Sequence, residues 1–480
     1  MINFLKKSIA KIWAKNHVAK TEDFKNNAEV LQEKLLLDLV KKSEKTLFGL
    51  QHNFSEIKSV EDFQKNVKIS DYEDLKPFVE KVKHGDKNIL WPEKPEYFAK
   101  TSGTTSGTKY IPLTKEGMDY QVKAAQSALF HYIAQKNNAD FVNGKMIFLQ
   151  GSPELEDIND IKTGRLSGIV AHHIPKYLQK NRLPSYETNC IEDWETKVDK
   201  IVEETEKENM TLISGIPPWL IMYFEKLIER NGKKIKQLFP NLQLIVTGGV
   251  NYEPYREKME ELLGGKVDII QTFPASEGFF AFQDDYEKEG LLLQSNHGIF
   301  YEFIPLELYG KPDAPRLTLK EVELNKDYAL ILTTNSGLWA YSIGDVVRFI
   351  SKNPHRILVS GRTKHFTSAF GEHVIAFEVE EAMKATVEKF PAQITEFHLA
   401  PQVNPENGEL PYHEWFIEFE KEPENLEDFR QNLDAEMRKR NTYYDDLISG
   451  NILQVLKITK LQKNAFQEYA KSEGKLGGQN

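Results

Sequence analysis

Short apolar segments alternate with longer amphipathic ones along the middle of the chain. Four of the apolar segments have the length of buried strands and lie at residues 146–149, 212–213, 244–246 and 267–270. The segments between them have the spacing of helices that bury one face. Short buried strands that alternate with such helices predict parallel pairing, in an α/β sheet that helices cover on both faces.

Three helices are predicted between these strands, and breaker residues mark the bounds of two of them. Pro217 and Pro218 open the second helix and Gly232 ends it, while Pro254 opens the third and Gly264 ends it. Apolar residues recur every three or four positions in each helix. In chain order these stripes are Ile191, Trp194, Val198, Ile201 and Val202, then Leu220, Phe224, Leu227 and Ile228, then Tyr255, Met259, Leu262 and Leu263.

The first fifty residues are predicted to be helical. The opening twenty have the spacing of an amphipathic surface helix and lack the continuous apolar stretch of a signal peptide. A second apolar face follows within a Lys- and Glu-rich stretch. The residues that define the two faces are Phe4, Ile9, Ile12 and Trp13, then Leu31, Leu35, Leu39 and Val40.

The pattern changes beyond Gly361 to a smaller α+β set. Strands and a helix are predicted there at residues 396–400, 413–419 and 452–458 and after the N-cap residue Asn425. The predicted fold is therefore α/β. A large N-terminal domain, residues 1–360, has mostly parallel sheets covered by helices, and a small C-terminal α+β domain occupies residues 361–480.

Composition and charge narrow the classes of function. The 480 residues contain 62 Lys+Arg and 72 Asp+Glu, a formal net charge of -10. An acidic surface repels phosphate backbones and anionic lipid, so we expect neither nucleic acid nor a membrane as a partner. The longest strongly apolar stretch, residues 216–224, is less than half of the ~20 residues that a bilayer span needs. Cys190 is the single cysteine, which favours a cytoplasmic protein without disulfides.

The most informative segment lies between Lys100 and Lys109. Its composition predicts a loop that offers backbone N–H groups, hydroxyls and a cation to a polyphosphate. It is not a Walker A loop, because three residues rather than four separate its glycines and a threonine precedes the lysine. A solvent-exposed loop is an equally good interpretation of this segment alone. The residues between the two lysines are Thr101, Ser102, Gly103, Thr104, Thr105, Ser106, Gly107 and Thr108.

A second candidate segment follows the predicted strand that ends at residue 270. Ligands of open α/β sheets bind at the carboxyl ends of strands, where this loop is expected. Phe273 offers a ring to stack on a base, and Glu277 offers a carboxylate oxygen to Mg²⁺. A turn with a solvated glutamate is the commoner interpretation of the motif alone. The segment reads Thr272-Phe273-Pro274-Ala275-Ser276-Glu277-Gly278.

Two further segments lie near the predicted domain boundary. Tyr341-Ser342-Ile343-Gly344-Asp345 places an aspartate after a glycine turn, which suits hydrogen bonds from a pair of ribose hydroxyls, although such turns are often only structural. Gly361-Arg362-Thr363-Lys364 lies on the boundary itself. Other candidates are weaker: His297 is predicted as polar surface or a pocket wall, and Trp219, Tyr223 and Phe224 as core.

The order of these segments resembles that of the adenylate-forming enzymes, which include acyl-CoA synthetases, luciferases and peptide-synthetase adenylation domains. Gly248-Gly249, after a predicted strand, adds a fifth motif, and although each motif is weak alone, five in this order are specific. Finer features resemble bacterial members of the auxin-responsive Gretchen Hagen family of acyl-acid amido synthetases, over essentially the whole chain. These features are Phe273-Pro274-Ala275-Ser276-Glu277-Gly278-Phe279-Phe280, the Tyr341 to Asp345 motif, and the tail from Tyr443-Tyr444-Asp445-Asp446 to Gly477-Gly478.

The resemblance implies a two-step reaction. A carboxylate attacks the α-phosphate of Mg·ATP to give an acyl-adenylate and pyrophosphate, and an amine then displaces AMP to form an amide. ATP is thus the implied co-substrate and Mg²⁺ the implied metal, with a small carboxylic acid and an amino acid or other amine as partners. The C-terminal domain would turn about Lys364 between the half-reactions.

The resemblance also implies a role for each matched position. Residues 101–109, Lys109 above all, would hold the β- and γ-phosphates, where charge builds as pyrophosphate leaves. Glu277 would bind Mg²⁺. The remaining nucleotide contacts would be Gly248, Gly249 and Phe273 at adenine, Thr272, Pro274, Ala275 and Ser276 along the same loop, Tyr341, Asp345 at the ribose, and Arg362 at the ribose or α-phosphate.

One departure from the family pattern concerns the end of the chain. Such relatives continue past Gly-Gly-Gln-Asn with Lys-x-Pro-Arg, whereas this sequence ends at Asn480. The lysine of the small domain that supports adenylation is therefore unassigned among Lys460, Lys463 and Lys475. An acyl-CoA ligase with the same first step and a non-catalytic ATP-binding module stay open as alternatives. The sequence names neither the acid nor the amine, nor the oligomeric state.

Overall fold

The computed structural model describes residues 2–101, 108–174, 179–191, 193–249, 252–363, 366–367, 374–402, 405, 409–449 and 453–472. Its helices are α1 Ile2–Asn26, α2 Ala28–Ser43, α3 Leu47–Gln51, α4 Val60–Asn66, α5 Tyr72–Lys83, α6 Lys115–Lys136, α7 Leu166–His172, α8 Tyr186–Asn189, α9 Trp194–Thr205, α10 Pro217–Asn231, α11 Ile235–Leu238, α12 Arg256–Leu263, α13 Ala376–Lys389, α14 Leu426–Arg440, α15 Thr442–Ser449 and α16 Ala465–Ser472.

The strands in these residues lie in four sheets. They are β1 Tyr97–Thr101, β2 Lys109–Leu113, β3 Lys145–Phe148, β4 Glu156–Ile158, β5 Ile161–Gly164, β6 Arg182–Leu183, β7 Met210–Ser214, β8 Leu244–Gly248, β9 Asp268–Ala275, β10 Gly278–Phe282, β11 Leu291–Leu293, β12 Ile299–Pro305, β13 Asp327–Thr334, β14 Tyr341–Lys352, β15 His355–Arg362, β16 Phe366–Thr367, β17 Val374–Ile375, β18 Gln393–Gln402, β19 Tyr412–Lys421 and β20 Lys457–Leu461.

The largest sheet has eleven strands within the described residues, in the order β12-β13-β14-β15-β11-β10-β9-β8-β7-β3-β6. The pairs from β9 to β6 are parallel, which confirms the predicted alternation of strand and helix. The other neighbouring pairs that the structure describes in this sheet are antiparallel. The prediction of mostly parallel sheets is therefore wrong for the sheet as a whole, because short connections replace the crossover helices after β9.

The helices between the parallel strands follow the sequence prediction closely. α9, α10 and α12 cover the sheet with the expected apolar stripes, and Trp219, Tyr223 and Phe224 are buried in the core, as predicted. α10 begins at Pro217 and ends where Gly232 takes a left-handed φ of 64°. Such a φ strains any residue that carries a Cβ, so the glycine explains the stop.

The N-terminal region is helical as predicted, but α1 does not pack through its predicted apolar face. Ile12 and Trp13 are both 58% exposed, whereas Ala14 is buried. α1 lies along α6, where His17 Nε2 is 2.7 Å from Ser127 Oγ. Small and polar side chains therefore make the contact. The hydrophobic spacing alone predicted the wrong packing face for α1. None of the helices in the described ranges has the length and apolar character that crossing a bilayer requires.

Helix α2 is fixed to the edge of the large sheet by one buried side chain. Gln32 Nε2 donates to the carbonyl oxygens of Ser295 (2.7 Å) and Ile299 (2.8 Å), and its Oε1 accepts from the N–H of Tyr301 (2.8 Å). Two of these partners belong to the free edge of β12. The amide thus satisfies backbone groups that no strand pairs.

We expect Gln32→Leu to lower the free energy of unfolding by about 3 kcal/mol, because three backbone groups would be left without a partner in a buried site. Urea unfolding of the purified variant measures this change. The matched control is Gln51→Leu on α3, an exposed glutamine, for which we expect a change within about 0.5 kcal/mol. Equal effects of the two substitutions would contradict this role of Gln32.

A separate hydrophobic core supports the C-terminal part of the chain. Trp415, Phe429, Leu433 and Met437 are buried there, between the sheet β18-β19-β20 and helices α13 and α14. Asn425 caps α14 as predicted, since its side chain accepts from two backbone N–H groups of the first turn. The division at residue 360 stays a prediction, which this separate core supports.

Two details of this C-terminal part add to the sequence analysis. The third strand, β20, begins at Lys457 instead of the predicted residue 452, which itself lies outside the described residues. Contact with the large sheet's helices runs through Lys258 of α12, whose Nζ lies 3.1 Å from Glu225 and also pairs with Glu420 of β19. Lys258 thus forms ion pairs with both parts of the chain.

Candidate active site

Glu277 lies at the tip of a tight hairpin. Ala275 of β9 pairs with Gly278 of β10, which leaves Ser276 and Glu277 as a two-residue turn. Residues 272–275 are therefore strand and not the loop that we predicted. β9 continues past the last residue that it pairs with β8, Thr272, so the turn projects about 10 Å beyond the parallel part of the sheet.

The paired glycines lie beside this extension, at the carboxyl end of β8. Gly248 pairs with Thr272, and a Cβ on Gly248 would lie 2.6 Å from the carbonyl oxygen of Thr272. Gly249 has a φ of 84°, which favours glycine. Both glycines are thus required by the close approach and the turn at this strand end. Ligands of open α/β sheets bind at such strand ends.

Phe273 does not take the predicted place. Its side chain is only 7% exposed, and its ring packs edge-on against Phe280 with the centroids 5.0 Å apart. Side chains of a strand alternate between faces, so the neighbours Thr272 and Pro274 point the other way and are half-buried. The expectation that this ring stacks on adenine is corrected: Phe273 belongs to the core.

Lys109 begins the second strand of the hairpin that carries the hydroxyl-rich segment. Thr101 pairs with Lys109, so the segment connects two paired strands, β1 and β2. Lys109 Nζ lies 5.7 Å from the ring centroid of Tyr72. The tyrosine hydroxyl accepts from the N–H of Tyr110 at 2.8 Å, which fixes the ring under the lysine. Thr108 is exposed, and Ser102, Gly103, Thr104, Thr105, Ser106 and Gly107 lie outside the described residues.

Asp345 and Arg362 face each other across the antiparallel pair β14–β15. Arg362 Nε lies 3.1 Å from Asp345 Oδ1, and their side chains are 47% and 14% exposed. The guanidinium also donates to the carbonyl oxygen of Ile343 at 3.2 Å. Gly344 has a φ of 88°, and its carbonyl oxygen accepts from the N–H of Thr363 at 2.7 Å. Lys364 lies outside the described residues.

The charged groups of these segments act on one another. Burial and, to a smaller extent, the charge of Asp345 raise the pKa of the Glu277 carboxyl to about 7, against the lowering influence of Lys109 and Arg362. Burial also raises the pKa of Asp345 to about 6, against the influence of Arg362. The structure thus brings together Lys109, Glu277, Asp345 and Arg362, four residues that the sequence analysis took from four separate segments.

This environment predicts a pH dependence of stability. The folded protein keeps the Glu277 proton up to about pH 7, whereas an unfolded chain releases it near the ordinary value of 4.5. Raising the pH between these values therefore costs the folded state more than the unfolded state. We expect the free energy of unfolding of the unmodified chain to fall, relative to that of Glu277→Gln, from about pH 5 to about pH 7.5.

Urea unfolding at both ends of this pH range measures the difference. Glu289→Gln replaces an exposed glutamate of the same region and is the control, for which the difference should stay constant. A Glu277→Gln difference that also stays constant, or one that changes in the opposite direction, would show that the Glu277 carboxyl titrates normally.

The donor set suits Mg²⁺. Magnesium prefers hard oxygen ligands and is usually held by one or two carboxylates together with substrate phosphates. Glu277 and Asp345 repel each other in the folded protein, and a cation beside them relieves that repulsion. The described residues contain no cluster of three or more His, Cys, Asp or Glu side chains suited to a metal. Phosphate oxygens would therefore have to complete the coordination.

Three site residues were not found by sequence reasoning or were only partly characterised. Tyr72 comes from α5, far before Lys109 in the chain, and no motif marks it. Tyr341 was predicted, and it is buried next to Tyr72 and Glu277. Burial is the main cause that raises the pKa of its hydroxyl, and Glu277 and Tyr72 raise this pKa as well. Asn335 lies in the turn between β13 and β14, and a turn signal alone could not show that it faces the site.

The lysine of the C-terminal part has no clear counterpart in the described residues. Lys460 pairs with Glu422, with Nζ 3.0 Å from Oε2. Lys463 is exposed in the turn before α16. Lys475 lies outside the described residues. The role therefore stays unassigned.

The fold is shared with solved structures of ligases. The structure aligns with the acyl acid amido synthetase GH3.15 in complex with 2,4-DB at a TM-score of 0.79 and 17% identity, over 96% of this chain and 92% of that one. It also aligns with 2-hydroxyisobutyryl-CoA ligase in its postadenylation state, at a TM-score of 0.61 and 12% identity, over 90% and 85% of the chains. The chain has the fold of adenylate-forming enzymes.

Sequence comparison identifies the family. The GH3 family N-terminal domain matches residues 17–181 and 159–269, the central domain residues 292–362, and the C-terminal domain residues 377–480. The chain belongs to the GH3 family.

Named relatives are plant enzymes of low identity. The jasmonoyl–L-amino acid synthetase JAR4 of Nicotiana attenuata is 24% identical over 359 residues, 60% of each protein. The indole-3-acetic acid-amido synthetase GH3.15 of Arabidopsis thaliana is 23% identical over 432 residues, 72% of this chain and 69% of its own length. The match thus spans between three fifths and seven tenths of these two relatives.

Proposed function

We propose that this protein is an ATP-dependent acyl acid amido synthetase. It adenylates a carboxylic acid with release of pyrophosphate and transfers the acyl group to an amino acid or another amine. The observation that carries the proposal is that the charges of Lys109, Asp345 and Arg362 all act on the Glu277 carboxyl, with Asp345 and Arg362 in an ion pair. Membership of the GH3 family supports it, since the named relatives are amido synthetases.

The charges of the site match the first step. A carboxylate oxygen of the acid forms a bond to the α-phosphorus, and the bond from that phosphorus to the bridging oxygen breaks as pyrophosphate leaves. Negative charge then grows on the leaving group, where the hydroxyl-rich segment 101–108 and the Lys109 ammonium are proposed to hold it. Arg362, which is half exposed beside Asp345, is proposed to hold the α-phosphate or the ribose.

The carboxylates take different parts in the proposal. Asp345 accepts hydrogen bonds from the ribose hydroxyls, and Gly248 and Gly249 leave room for the adenine at the end of β8. Glu277 holds Mg²⁺, which when bound neutralises charge on the phosphates. Lys364 is proposed as the hinge of the C-terminal domain, residues 361–480. We also propose that the protein is bacterial and acts in the cytoplasm.

In the second step, the ammonium group of the amine loses a proton to solvent, its nitrogen attacks the acyl carbon, and a second proton leaves that nitrogen as the amide forms. The bond between that carbon and the AMP oxygen breaks, and an amide remains. A thiol acceptor would follow the same course, and the fold is shared with a CoA ligase. The acceptor is therefore the part of the proposal that most needs a direct test.

Carboxylate-dependent exchange of labelled pyrophosphate into ATP tests the first step, with Mg²⁺ and a panel of aryl and aliphatic acids. AMP release in the presence of amino acids, and separately of CoA, then tests the second. Exchange with at least one acid and AMP release with amino acids alone would support the proposal. AMP release with CoA alone would make the protein an acyl-CoA ligase, and ATP binding without exchange would make it a binding module.

A further inference from the structure

Strand β2, which carries Lys109, belongs to a sheet that is separate from the large one. Within the described residues this second sheet has the order β2-β1-β5-β4, so β2 lies at its edge and no backbone pairing joins it to the strands near Glu277 and Asp345. Lys109 nevertheless lies close enough for its charge to act on the Glu277 carboxyl. Contacts outside the two ladders therefore set the distance between the sheets at the proposed reaction centre.

Tyr72, the first residue of α5, contacts the lysine end of β2. Its hydroxyl accepts from the N–H of Tyr110 at 2.8 Å, at the edge of the sheet that β1 does not cover. Its ring centroid lies 5.7 Å from the Lys109 ammonium, and the residue is only 4% exposed. One side chain thus fixes the backbone next to Lys109 and presents the face of an aromatic ring to its charge.

Helix α5 makes a second contact with the same residue of β2. Lys83, in the last turn of α5, places its Nζ 4.2 Å from the centroid of the Tyr110 ring. The same Nζ lies 2.9 Å from Glu80 Oε1, so the lysine is itself held on the helix. α5 therefore holds Tyr110 both by its backbone and by its ring.

The segment before α5 is fixed to the large sheet. The N–H of Ser70 donates to Ala340 O at 3.0 Å, and Ser70 O accepts from the N–H of Ser342 at 2.8 Å, so Ser70 pairs with the start of β14. Asp71 then caps α5, because its side chain accepts from two N–H groups of the first turn. Three consecutive residues, ending at Tyr72, therefore connect β14 with β2.

The other end of β2 has an anchor of its own. The N–H of Thr114 donates to Ser336 Oγ at 3.2 Å, and its Oγ1 donates to Asn335 O at 3.0 Å. A rise of about 3.3 Å per residue puts this anchor roughly 17 Å along the chain from Lys109. The contact with α5 is therefore what locates the lysine end of the strand.

These contacts assign a role within the adenylation proposed above, on which this inference rests. We infer that Tyr72 is a positioning residue for Lys109. Through its hydroxyl it holds β2 so that the ammonium lies where charge grows on the departing pyrophosphate, and it acts only through the lysine. Electrostatic catalysis needs such a group in place before the charge develops, and a misplacement of about 1 Å can cost up to ~10²-fold in rate.

Tyr72→Phe keeps the ring and removes the hydroxyl. We expect kcat of acid-dependent pyrophosphate exchange to fall by about tenfold, because the lysine end of β2 is released. The matched control is Tyr328→Phe, whose hydroxyl also accepts from a backbone N–H, that of Glu323 at 2.9 Å, in a residue that is 1% exposed. The two variants should lower the melting temperature alike, whereas Tyr328→Phe should keep kcat within about twofold.

Combination with Lys109→Ala separates positioning from a general structural role. If Tyr72 acts through Lys109, Tyr72→Phe should lower kcat by less than about twofold once the lysine is gone, so the two losses do not multiply. A merely structural role would lower kcat by the same factor in both backgrounds. That result, or an effect of Tyr72→Phe no larger than that of Tyr328→Phe, would overturn the inference.

The outcomes also separate this inference from the proposed function. Exchange by the unmodified protein establishes adenylation before any variant is compared. If Tyr72→Phe then exchanges equally well, adenylation stands and Tyr72 has no positioning role. If no acid of the panel supports exchange by the unmodified protein, the adenylation is refuted, and with it the inference that rests on it.

Discussion

Glu277→Ala is expected to lower acid-dependent pyrophosphate exchange by about a thousandfold. The carboxylate stands at the tip of the β9–β10 hairpin, next to Asp345 and within the influence of Lys109 and Arg362. Its removal takes away the proposed oxygen ligand of Mg²⁺ and leaves two cations without this counter-charge. The phosphate chain would then be bound without the metal that offsets its charge.

The loss should be catalytic and not structural. The Glu277 side chain is already costly to bury in its charged form, so its removal is expected to keep or raise the melting temperature. Glu289→Ala, at an exposed position after β10, is the matched control and should keep full exchange activity. Unchanged exchange in Glu277→Ala, with the melting temperature preserved, would remove Glu277 from the proposed mechanism.

The second large effect is expected for Lys109→Ala, with a loss of pyrophosphate exchange of roughly 10²–10³-fold. Lys109 directly follows the hydroxyl-rich segment, and its ammonium group lies 5.7 Å from the ring centroid of Tyr72. A hydrogen bond from the N–H of Tyr110 keeps that tyrosine in place. Charge on the departing pyrophosphate grows near this group in the proposed transition state. We therefore expect the loss mainly in kcat, because the interaction strengthens as the bond breaks.

Lys100 provides the control for Lys109. It lies on β1, which pairs with β2, and its Nζ is 2.6 Å from Glu156 Oε2. Its charge is therefore already paired with a carboxylate. Lys100→Ala removes the same charge from the same hairpin and should change kcat/KM by less than about threefold. Similar losses in both variants would indicate a general effect of positive charge, and Lys109 would lose its specific role.

The parts of the molecule that sequence predicted well are those that local patterns decide. The helix α10 follows from its opening prolines, its apolar stripe and Gly232, and the parallel strands follow from the alternation around them. The closeness of Glu277, Asp345 and Arg362 agrees with the motif order, since Glu277 follows the end of β9, Asp345 lies near the start of β14 and Arg362 ends β15, three strands of the same sheet. These features depend on neighbours along the chain.

The parts that sequence missed depend on contacts between distant segments. Tyr72 reaches the site because residue 70 pairs with the start of β14, next to Tyr341. Asn335 lies near Glu277 because the turn that carries it holds the start of α6 through Thr114. We predicted Phe273 at the nucleotide because its motif resembles that of the adenylate-forming enzymes. In the structure the ring points into the core, because side chains of a strand alternate between faces. Local pattern does not decide which face of a strand is buried when both faces are covered.

The clamp made by Gln32 also bears on how the molecule keeps apart from its own copies. β12 is the outermost strand of the large sheet within the described residues, and an uncovered strand of seven residues there would offer a template to a second chain. Gln32 occupies two of the hydrogen-bonding groups that such a chain would need, Ile299 O and the N–H of Tyr301, and Leu317 pairs with Phe303 further along the same edge. The opposite outer strand, β6, has only two residues. Both outer strands of the sheet thus disfavour strand-to-strand aggregation, because edge groups of β12 are already hydrogen-bonded and β6 is too short to offer a template.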